Sequence, residues 1–463
     1  MVSAILLGLD ATPPLCTGYA WLMLHYVVPV VSPELLLRVT NAGLIGAALW
    51  ILYLSIRHYF DQTTSLMTIS LFIILEMAQL KFLTLEVRTY AAFVLFTMLT
   101  IYTALRAVAR PHWIRLISTA LASCMLVSSH TFGIVYAVSI ASCAVAAAAI
   151  EGKVRVAFKL GLTSVPAIVM FCLWVPILKQ QAQLGNWIPR PDLQRLLDST
   201  YPPSNSLRLE GIAIILALVI LIWPRTQNSY GTVARRQWWR ATNGIYIFAI
   251  AIPIAFGSST FVVWLFSRNV FQVFLERYFF PNLVLHTIWL SMLVNWVFIH
   301  LPTSKKNGLV LAAAVLAGLS IKPRQIEPET RIPCFDPSQS AYMEDPFRDY
   351  GPIVGLTSHP FLTRLNHPGE PVLFPVDKDA LKKNGTEYPP YVYHYLLVKR
   401  FAEWLGVNAL MSTSELLNTK PGFVVLDDRQ GPWLEHVKLN HRMKLIPLAE
   451  TKSCTVWQVE AVE

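Results

Sequence analysis

Charged residues stand beside the ends of several long apolar stretches, where a proton-transfer or anion-binding group would meet both water and lipid. The first is Asp10, which precedes a pair of prolines, Pro13 and Pro14. The prolines stiffen the chain, and a carboxylate held at a membrane boundary could accept a proton from an acceptor hydroxyl. The same position also suits a helix cap before the apolar segment at residues 19–31, so the spacing alone leaves both interpretations open.

A second motif, Glu86-Val87-Arg88-Thr89-Tyr90, stands at the start of another apolar stretch. Glu86 and Tyr90 are four residues apart and would share one helix face. Arg88 carries a fork of donors that suits phosphate, and the N-terminal N–H groups of a helix also favour an anion. The alternative is an interfacial anchor in which Arg88 extends to the lipid headgroups.

Three further motifs carry candidate substrate-binding residues. His130 and Gly133 enclose a predicted tight turn between two helices. Arg277 and Tyr278 precede a late apolar stretch, where Arg277 is again a phosphate candidate. Trp187 stands in a long polar stretch that could lie over the membrane surface as a lid. Each also has a structural interpretation, respectively a polar turn residue, a snorkelling anchor and interfacial packing.

The segments that must position these groups are predominantly apolar. Of the 463 residues, 54% are hydrophobic and 14% are charged, and the mean hydropathy is +0.47, whereas soluble domains contain about 25% charged residues. A membrane-spanning helix needs about 20 apolar residues. Such stretches recur through residues 1–321, after which the composition becomes ordinary. We therefore predict an α-helical polytopic membrane domain of about ten transmembrane helices at residues 1–321 and a small soluble α/β domain at residues 322–463.

The hydrophobic pattern predicts the individual elements of both domains. An apolar segment covers residues 19–31, and helices are predicted at residues 40–56, 64–80, 90–107, 114–128, 133–150, 157–177, 211–223, 244–257, 279–299 and 308–321. Residues 179–208 and 258–277 are predicted to be loops. In the C-terminal region, residues 423–426, 445–448 and 455–459 are predicted strands, and residues 391–405 are a predicted helix.

Basic residues fall in alternate gaps between the apolar stretches, which predicts the orientation of the chain. The gaps with basic clusters contain Arg57; Arg106, Arg110 and Arg115; Lys153, Arg155 and Lys159; Arg225, Arg235, Arg236 and Arg240; and Lys305 and Lys306. Cytoplasmic loops of membrane proteins are enriched in Lys and Arg. We therefore predict a multi-pass protein of the inner or plasma membrane whose candidate site and C-terminal domain face outward. This distribution accounts for the net charge of +10, so nucleic-acid binding is not predicted.

Several kinds of catalytic and metal site have no support in the sequence. The chain contains no P-loop, GxGxxG, HExxH or GxSxG motif and no Cys-x-x-Cys or Cys/His metal spacing. Nucleotide-driven pumping, hydrolase chemistry and a structural zinc site are therefore not predicted.

Taken together, the motifs resemble those of the GT-C superfamily of membrane glycosyltransferases. The similarity is to the group related to protein O-mannosyltransferases and aminoarabinose transferases, and the Rgt-like branch looks closest. The matching elements, in chain order, are Asp10 with Pro13, Pro14 and Leu15; Glu86, Arg88 and Tyr90; His130 and Gly133; Trp187, Ile188 and Pro189; and Arg277 with Tyr278. Their order and shared outward placement make the resemblance specific over roughly residues 10–299.

The resemblance implies an enzyme that transfers a sugar from a polyprenyl-phosphate carrier to a lipid, glycan or protein acceptor on the outer face of the membrane. It assigns catalysis to Asp10 and Glu86 and substrate binding to Arg88, Tyr90, His130, Trp187, Arg277 and Tyr278. The sugar–phosphate bond is already activated, so no nucleotide motif is required, and the transition state is expected to have oxocarbenium character. No cofactor is assigned, and a divalent metal is left open.

The sequence also departs from the family pattern. Family members usually begin with another transmembrane helix and an acidic pair in the first external loop, whereas this chain starts almost at Pro13 and Pro14. We therefore expect one helix and most of that loop to be missing. Two other functions stay open: a transporter or flippase for lipid-linked glycans, for which charged or broken helices near mid-membrane would be typical, and a noncatalytic, truncated membrane subunit that presents the C-terminal domain.

Overall fold

The computed structural model describes most of the helical region and the strands of the C-terminal region. The described residues are 33–85, 89–182, 191–200, 232–269, 274, 276–299, 301–320, 353–355, 373–376, 395, 398–399, 402–403, 408–418, 423–427, 443–450 and 455–461. The chain divides into two compact units. The larger unit contains Thr12–Val175 and Arg190–Lys322, and Pro323–Glu463 belongs to the smaller one.

The larger unit is helical throughout its described part. Its helices are α1 (Pro33–Arg57), α2 (Gln62–Leu75), α3 (Met77–Leu85), α4 (Tyr90–Ala109), α5 (Trp113–Ser129), α6 (Gly133–Ile150), α7 (Val154–Leu162), α8 (Val165–Ala182), α9 (Leu193–Thr200), α10 (Thr232–Asn269), a 3-10 helix (Glu276–Asn282), α11 (Leu283–Ile299) and α12 (Thr303–Ser320). Helix α8 continues beyond Val175, the last residue of the first of these two ranges.

Five stretches of the described residues are helical, long and apolar enough to cross a bilayer. They are Leu36–Arg57, Tyr90–Ala109, Gly133–Ile150, Val154–Lys179 and Ile247–Asn269, with α2 and α3 together as a sixth if the bent pair is one span. The apolar segment at residues 19–31 and the helix predicted at residues 211–223 lie outside the described residues. The apolar spans confirm the predicted helical membrane architecture.

Two predicted elements need correction. The single helix predicted at residues 64–80 is broken at the fully buried Glu76, where α2 and α3 meet at a bend of 73° because the Glu76 backbone leaves the helical conformation (φ −99°, ψ 17°). The loop predicted at residues 258–277 is helical as far as Asn269, because apolar side chains such as Phe261 and Val262 extend the lipid-compatible surface of α10.

Helix α4 lies at the centre of the bundle and packs against α1, α5 and α6. Of the five candidate spans it is the most buried, and Phe93, Ala104 and Leu105 are among its enclosed residues. Helix α6 has small residues at helical spacing, including Ala137 and Ala144, and it packs against α7 and α10. Small side chains allow membrane helices to approach closely, where van der Waals packing holds them together.

The direction of the helices separates two ends of the bundle. Helix α4 begins at Tyr90, α5 ends at Ser129 and α6 begins at Gly133, so these termini share one end. The termini at Ala109, Trp113 and Ile150 lie at the opposite end, which therefore carries the basic gaps around Arg110 and Lys153. This arrangement matches the alternation of basic and non-basic gaps in the sequence.

The described part of the C-terminal region contains two small sheets. Strands β1 (Ile353–Gly355), β4 (Phe423–Asp427), β5 (Met443–Glu450) and β6 (Thr455–Ala461) form one sheet in the order β1-β4-β6-β5. Strands β2 (Phe374–Val376) and β3 (Leu410–Ser412) form a parallel pair, and helix α13 (Thr413–Leu417) follows β3.

The pattern of apolar residues explains the larger of these sheets. Strand β1 is parallel to β4, while β6 is antiparallel to both β4 and β5. Val354, Phe423, Val425 and Val459 are buried in a shared core. The three predicted strands are confirmed as β4, β5 and β6, whereas most of the helix predicted at residues 391–405 lies outside the described residues.

Candidate active site

Three of the predicted site residues converge at one end of the helical bundle. Tyr90 begins α4, His130 lies between α5 and α6, and Tyr278 belongs to the 3-10 helix. The ring centroid of His130 lies 5.9 Å from that of Tyr90 and 4.9 Å from that of Tyr278. With Phe93 and Phe132, whose rings also contact His130, these residues form what we call the aromatic–histidine cluster.

The imidazole of His130 is held in a defined orientation. Its ring stacks on Phe93 with centroids 4.6 Å apart and an interplanar angle of 15°, and the residue is only 7% exposed. Its Nδ1 accepts the backbone N–H of Phe132 at 3.2 Å. The neutral ring therefore carries its proton on Nε2, which makes Nε2 a hydrogen-bond donor.

The turn that presents His130 depends on glycine at position 133. The Gly133 N–H donates to the His130 carbonyl at 2.7 Å, which closes the turn between α5 and α6. A Cβ atom on Gly133 would lie 2.3 Å from the Leu126 carbonyl oxygen and 2.9 Å from the Val127 Cα. The His-x-x-Gly spacing seen in the sequence is therefore a requirement for two backbones to approach closely.

A buried amide fixes the segment that carries Tyr278. Asn282 ends the 3-10 helix and is 0% exposed. Its Oδ1 accepts the Tyr136 hydroxyl, and its Nδ2 donates to the Ser199 carbonyl and to the Thr260 Oγ1, each at 3.0 Å. One side chain thus connects the 3-10 helix to α6, α9 and α10.

Sequence reasoning did not identify Asn282 as part of the site. The sequence does show a polar amide directly before a long apolar helix. Burying such a group in a membrane costs free energy unless it forms hydrogen bonds, so its position could have indicated a structural role. Its three partners lie 146, 83 and 22 residues away in the chain. Such distant contacts cannot be read from local spacing.

The other predicted site residues do not all fall on the described part of the chain. Asp10, Glu86, Arg88 and Trp187 lie outside the described residues. The backbone of Arg277 is in the 3-10 helix directly before Tyr278, but its side chain is outside the described set.

The cluster combines aromatic faces with neutral hydrogen-bond donors. Tyr90 and Tyr278 each have a hydroxyl, and the imidazole of His130 has two ring nitrogens, which are the kinds of group that bind phosphate or sugar oxygens in proteins. Among the described residues, no group of three or more His, Cys, Asp or Glu side chains could hold a metal ion. The described groups at this end are aromatic rings and hydrogen-bonding side chains.

Comparison with known proteins identifies the fold. No family model matches the sequence, and no curated protein matches it. The apo crystal structure of ArnT from Cupriavidus metallidurans is similar to the chain with a TM-score of 0.50 and 12% identity, over 97% of this chain and 87% of ArnT.

The same ArnT bound to undecaprenyl phosphate gives a TM-score of 0.49 and 10% identity, over 97% and 88% of the two chains. At these identities the likeness concerns the fold. The chain is a multi-pass α-helical membrane protein with a GT-C-like fold and a small C-terminal sheet region.

Proposed function

We propose that the protein is a glycosyltransferase that transfers a sugar from a polyprenyl-phosphate donor to an acceptor on the outer face of the membrane. The proposal includes an extracytoplasmic domain at residues 322–463 and an outward-facing aromatic–histidine cluster. The acceptor is a lipid, a glycan or a protein with a free hydroxyl or amino group.

The observation that carries this proposal is the convergence of Tyr90, His130 and Tyr278 at one end of a GT-C-like bundle. These residues come from three separate sequence motifs, and the basic gaps predict that each motif faces outward. In the sequence, Arg88 stands two residues before Tyr90 and Arg277 directly before Tyr278. In the proposed site these two residues supply the positive charge for the donor phosphate.

In the proposed reaction, the acceptor attacks the anomeric carbon of the donor sugar. The bond between that carbon and the phosphate oxygen breaks, and its electron pair leaves with the polyprenyl phosphate. Asp10 or Glu86 takes the proton of the acceptor. Arg88 and Arg277 stabilise the departing phosphate, while His130 and the two tyrosines donate hydrogen bonds and pack against the sugar.

A transfer assay with purified protein tests the proposal. The full chain in detergent is mixed with a panel of labelled polyprenyl-phosphate sugars and an acceptor fraction from the cell envelope. We expect sugar transfer and release of polyprenyl phosphate, and a loss of both in Arg88→Ala and Arg277→Ala. Arg155→Gln, on α7 at the opposite end of the bundle, is the matched control and should transfer normally. Normal transfer by both site variants would overturn the assignment of the phosphate site.

One structural feature favours transport of lipid-linked glycans as a second candidate. The span formed by α2 and α3 is broken by 73° at the fully buried Glu76, and broken helices with polar groups line the sites of many transporters. A vesicle assay separates the two functions. Movement of a labelled lipid-linked glycan across the membrane without cleavage of its sugar–phosphate bond would favour transport over transfer.

A further inference from the structure

A basic pocket lies at the opposite end of the bundle from the aromatic–histidine cluster. It is formed where α1 ends and where α4 turns into α5, and its volume is about 420 Å³. Its polar lining consists of Arg57, His58, Tyr102, Arg106, Arg110 and Arg115. Four guanidinium groups therefore border one open space, and no carboxylate is among the described residues that line it.

Three of these arginines are held by neighbouring groups. Arg57 donates to the Tyr53 hydroxyl at 3.5 Å. Arg115 donates to the carbonyl oxygens of Arg106 and Arg110 at 3.3 and 2.9 Å, where α4 ends. Arg106 donates to the Tyr102 hydroxyl at 3.1 Å, and its guanidinium lies 5.6 Å from the centre of that ring. All these partners are neutral, so the positive charges are positioned without being neutralised.

The pKa of the His58 imidazole is shifted by burial and by the positive charges of the pocket. Burial lowers the pKa of His58 from its ordinary value, and the charges of Arg106, Arg110 and Arg115 lower it further. Repulsion from three separate arginines means that the pocket has a positive potential when it is empty. Such a gathering of like charges is unfavourable unless an anion enters.

An exposed apolar surface begins beside the pocket. On α5, the side chains of Trp113, Ile117 and Leu121 recur at intervals of four residues and are all largely exposed. In a bilayer this surface meets lipid chains, and its first residue stands two positions before Arg115. A ligand with an anionic head and an apolar tail therefore fits the surroundings better than a free anion does.

We propose that the basic pocket binds the phosphate headgroup of an anionic membrane phospholipid. Planar guanidinium groups match the oxygens of a phosphate, and basic pockets between transmembrane helices are typical headgroup sites on the cytoplasmic side. The alternating basic gaps predict the same side for this end of the bundle. The pocket is distinct from the proposed donor site, because the two lie at opposite ends of α4.

Lipid-dependent stabilisation of the full chain in a neutral detergent tests this proposal. Phosphatidylglycerol, phosphatidylcholine or inorganic phosphate is titrated into the wild type, into an Arg106→Gln/Arg110→Gln variant and into a Lys305→Gln/Lys306→Gln variant. The last is the matched control, because it removes two charges from a basic gap at the start of α12, outside the pocket. The affinity of each protein for each ligand is obtained from the rise of its apparent melting temperature with ligand concentration.

We expect phosphatidylglycerol, but neither phosphatidylcholine nor inorganic phosphate, to stabilise the wild type. The pocket variant should bind phosphatidylglycerol on the order of thirtyfold more weakly, since each basic side chain near an anionic surface contributes about a fivefold effect. The lysine control should lose less than about threefold. If the two double variants lost equal affinity for phosphatidylglycerol, general surface attraction would explain the binding and the proposal would be overturned. If inorganic phosphate stabilised the wild type as much as phosphatidylglycerol does, the lipid assignment would be overturned.

A single variant keeps the test valid if the double variant does not fold. The guanidinium of Arg110 makes no hydrogen bond to the described residues around it, so Arg110→Gln removes a pocket charge without breaking a contact there. It should weaken phosphatidylglycerol binding by about fivefold. Unchanged binding by a folded Arg110→Gln protein would contradict the proposal.

Discussion

Replacement of Gly133 by alanine tests whether the turn at His130 positions the candidate site. A Cβ at this position would lie 2.3 Å from the Leu126 carbonyl oxygen, whereas real contacts of this kind stay above 3.0 Å. The neighbouring backbone must therefore move by at least about 0.7 Å. The displaced atoms belong to the last turn of α5, so the movement reaches His130, whose carbonyl is bonded to the Gly133 N–H.

The expected cost can be estimated from this geometry. Overpacking of this kind typically destabilises a protein by about 1–3 kcal/mol, which corresponds to a fall in melting temperature on the order of 5 °C. A displacement of about 1 Å at a reacting group can lower the rate by about a hundredfold. We therefore expect Gly133→Ala to fold with a lower melting temperature and to transfer sugar about a hundredfold more slowly.

The control is Gly43→Ala in α1, because nothing lies within 4 Å of a Cβ at that position. Alanine there should be neutral or stabilising by up to about 1 kcal/mol, since it is the better helix former. The two variants are compared by thermal unfolding in detergent and by the transfer assay. If Gly133→Ala matched Gly43→Ala in both measurements, the turn would not need glycine and our reasoning about its close approach would be refuted.

Three further results are expected. Asn282→Leu should lower the free energy of unfolding by about 2–4 kcal/mol and Tyr136→Phe by about 1 kcal/mol, measured by thermal or denaturant unfolding. If both variants lowered it by the same small amount, the role of Asn282 as a shared partner would be contradicted. His58 is neutral above its lowered pKa and becomes cationic as the pH falls through that lowered value, so phosphatidylglycerol binding should strengthen as the pH falls, and His58→Gln should abolish this dependence. In separate variants, Thr131→Cys and His112→Cys should react with an impermeant maleimide from opposite sides of the membrane, and Thr131→Cys should react from outside. Labelling of both variants from the same side would contradict the predicted orientation.

The sign of the His58 effect follows from the folded state. Because burial and neighbouring arginines lower the pKa of His58, the empty protein loses stability as the pH falls through that lowered value. A bound anion offsets the repulsion from the arginines and raises the pKa again. Protonation and anion binding therefore favour each other, which is why binding should tighten at lower pH.

Much of the membrane architecture could be predicted from the sequence because long apolar runs have few structural solutions in a bilayer. The prediction at residues 133–150 coincides with α6, and the prediction at residues 90–107 ends two residues before α4 does. The break at Glu76 was not predicted, since neither proline nor glycine marks it in the sequence. The extension of α10 was also missed, because the polar residues from Gly257 to Thr260 resemble a loop but continue the helix.

The candidate site was only partly predictable. Local motifs indicated Tyr90, His130 and Tyr278, and the outward alternation of the gaps predicted that they would share one end of the bundle. The stacking of His130 on Phe93 and the bonds of Asn282 depend on side chains that are distant in the chain. Contacts of this type arise from helix packing, so no local sequence pattern reveals them.

The proposed chemistry depends most directly on the donor function of His130. The decisive measurement is the rate of sugar transfer from the accepted polyprenyl-phosphate donor by the wild type, His130→Phe and His112→Phe, with melting temperatures recorded for each. His112 caps α5 at the opposite end of the bundle and is the matched histidine control. We expect His112→Phe to match the wild type and His130→Phe, which keeps a ring but has no donor, to be slower by about a hundredfold. Equal rates for all three folded proteins would contradict a catalytic site at the aromatic–histidine cluster.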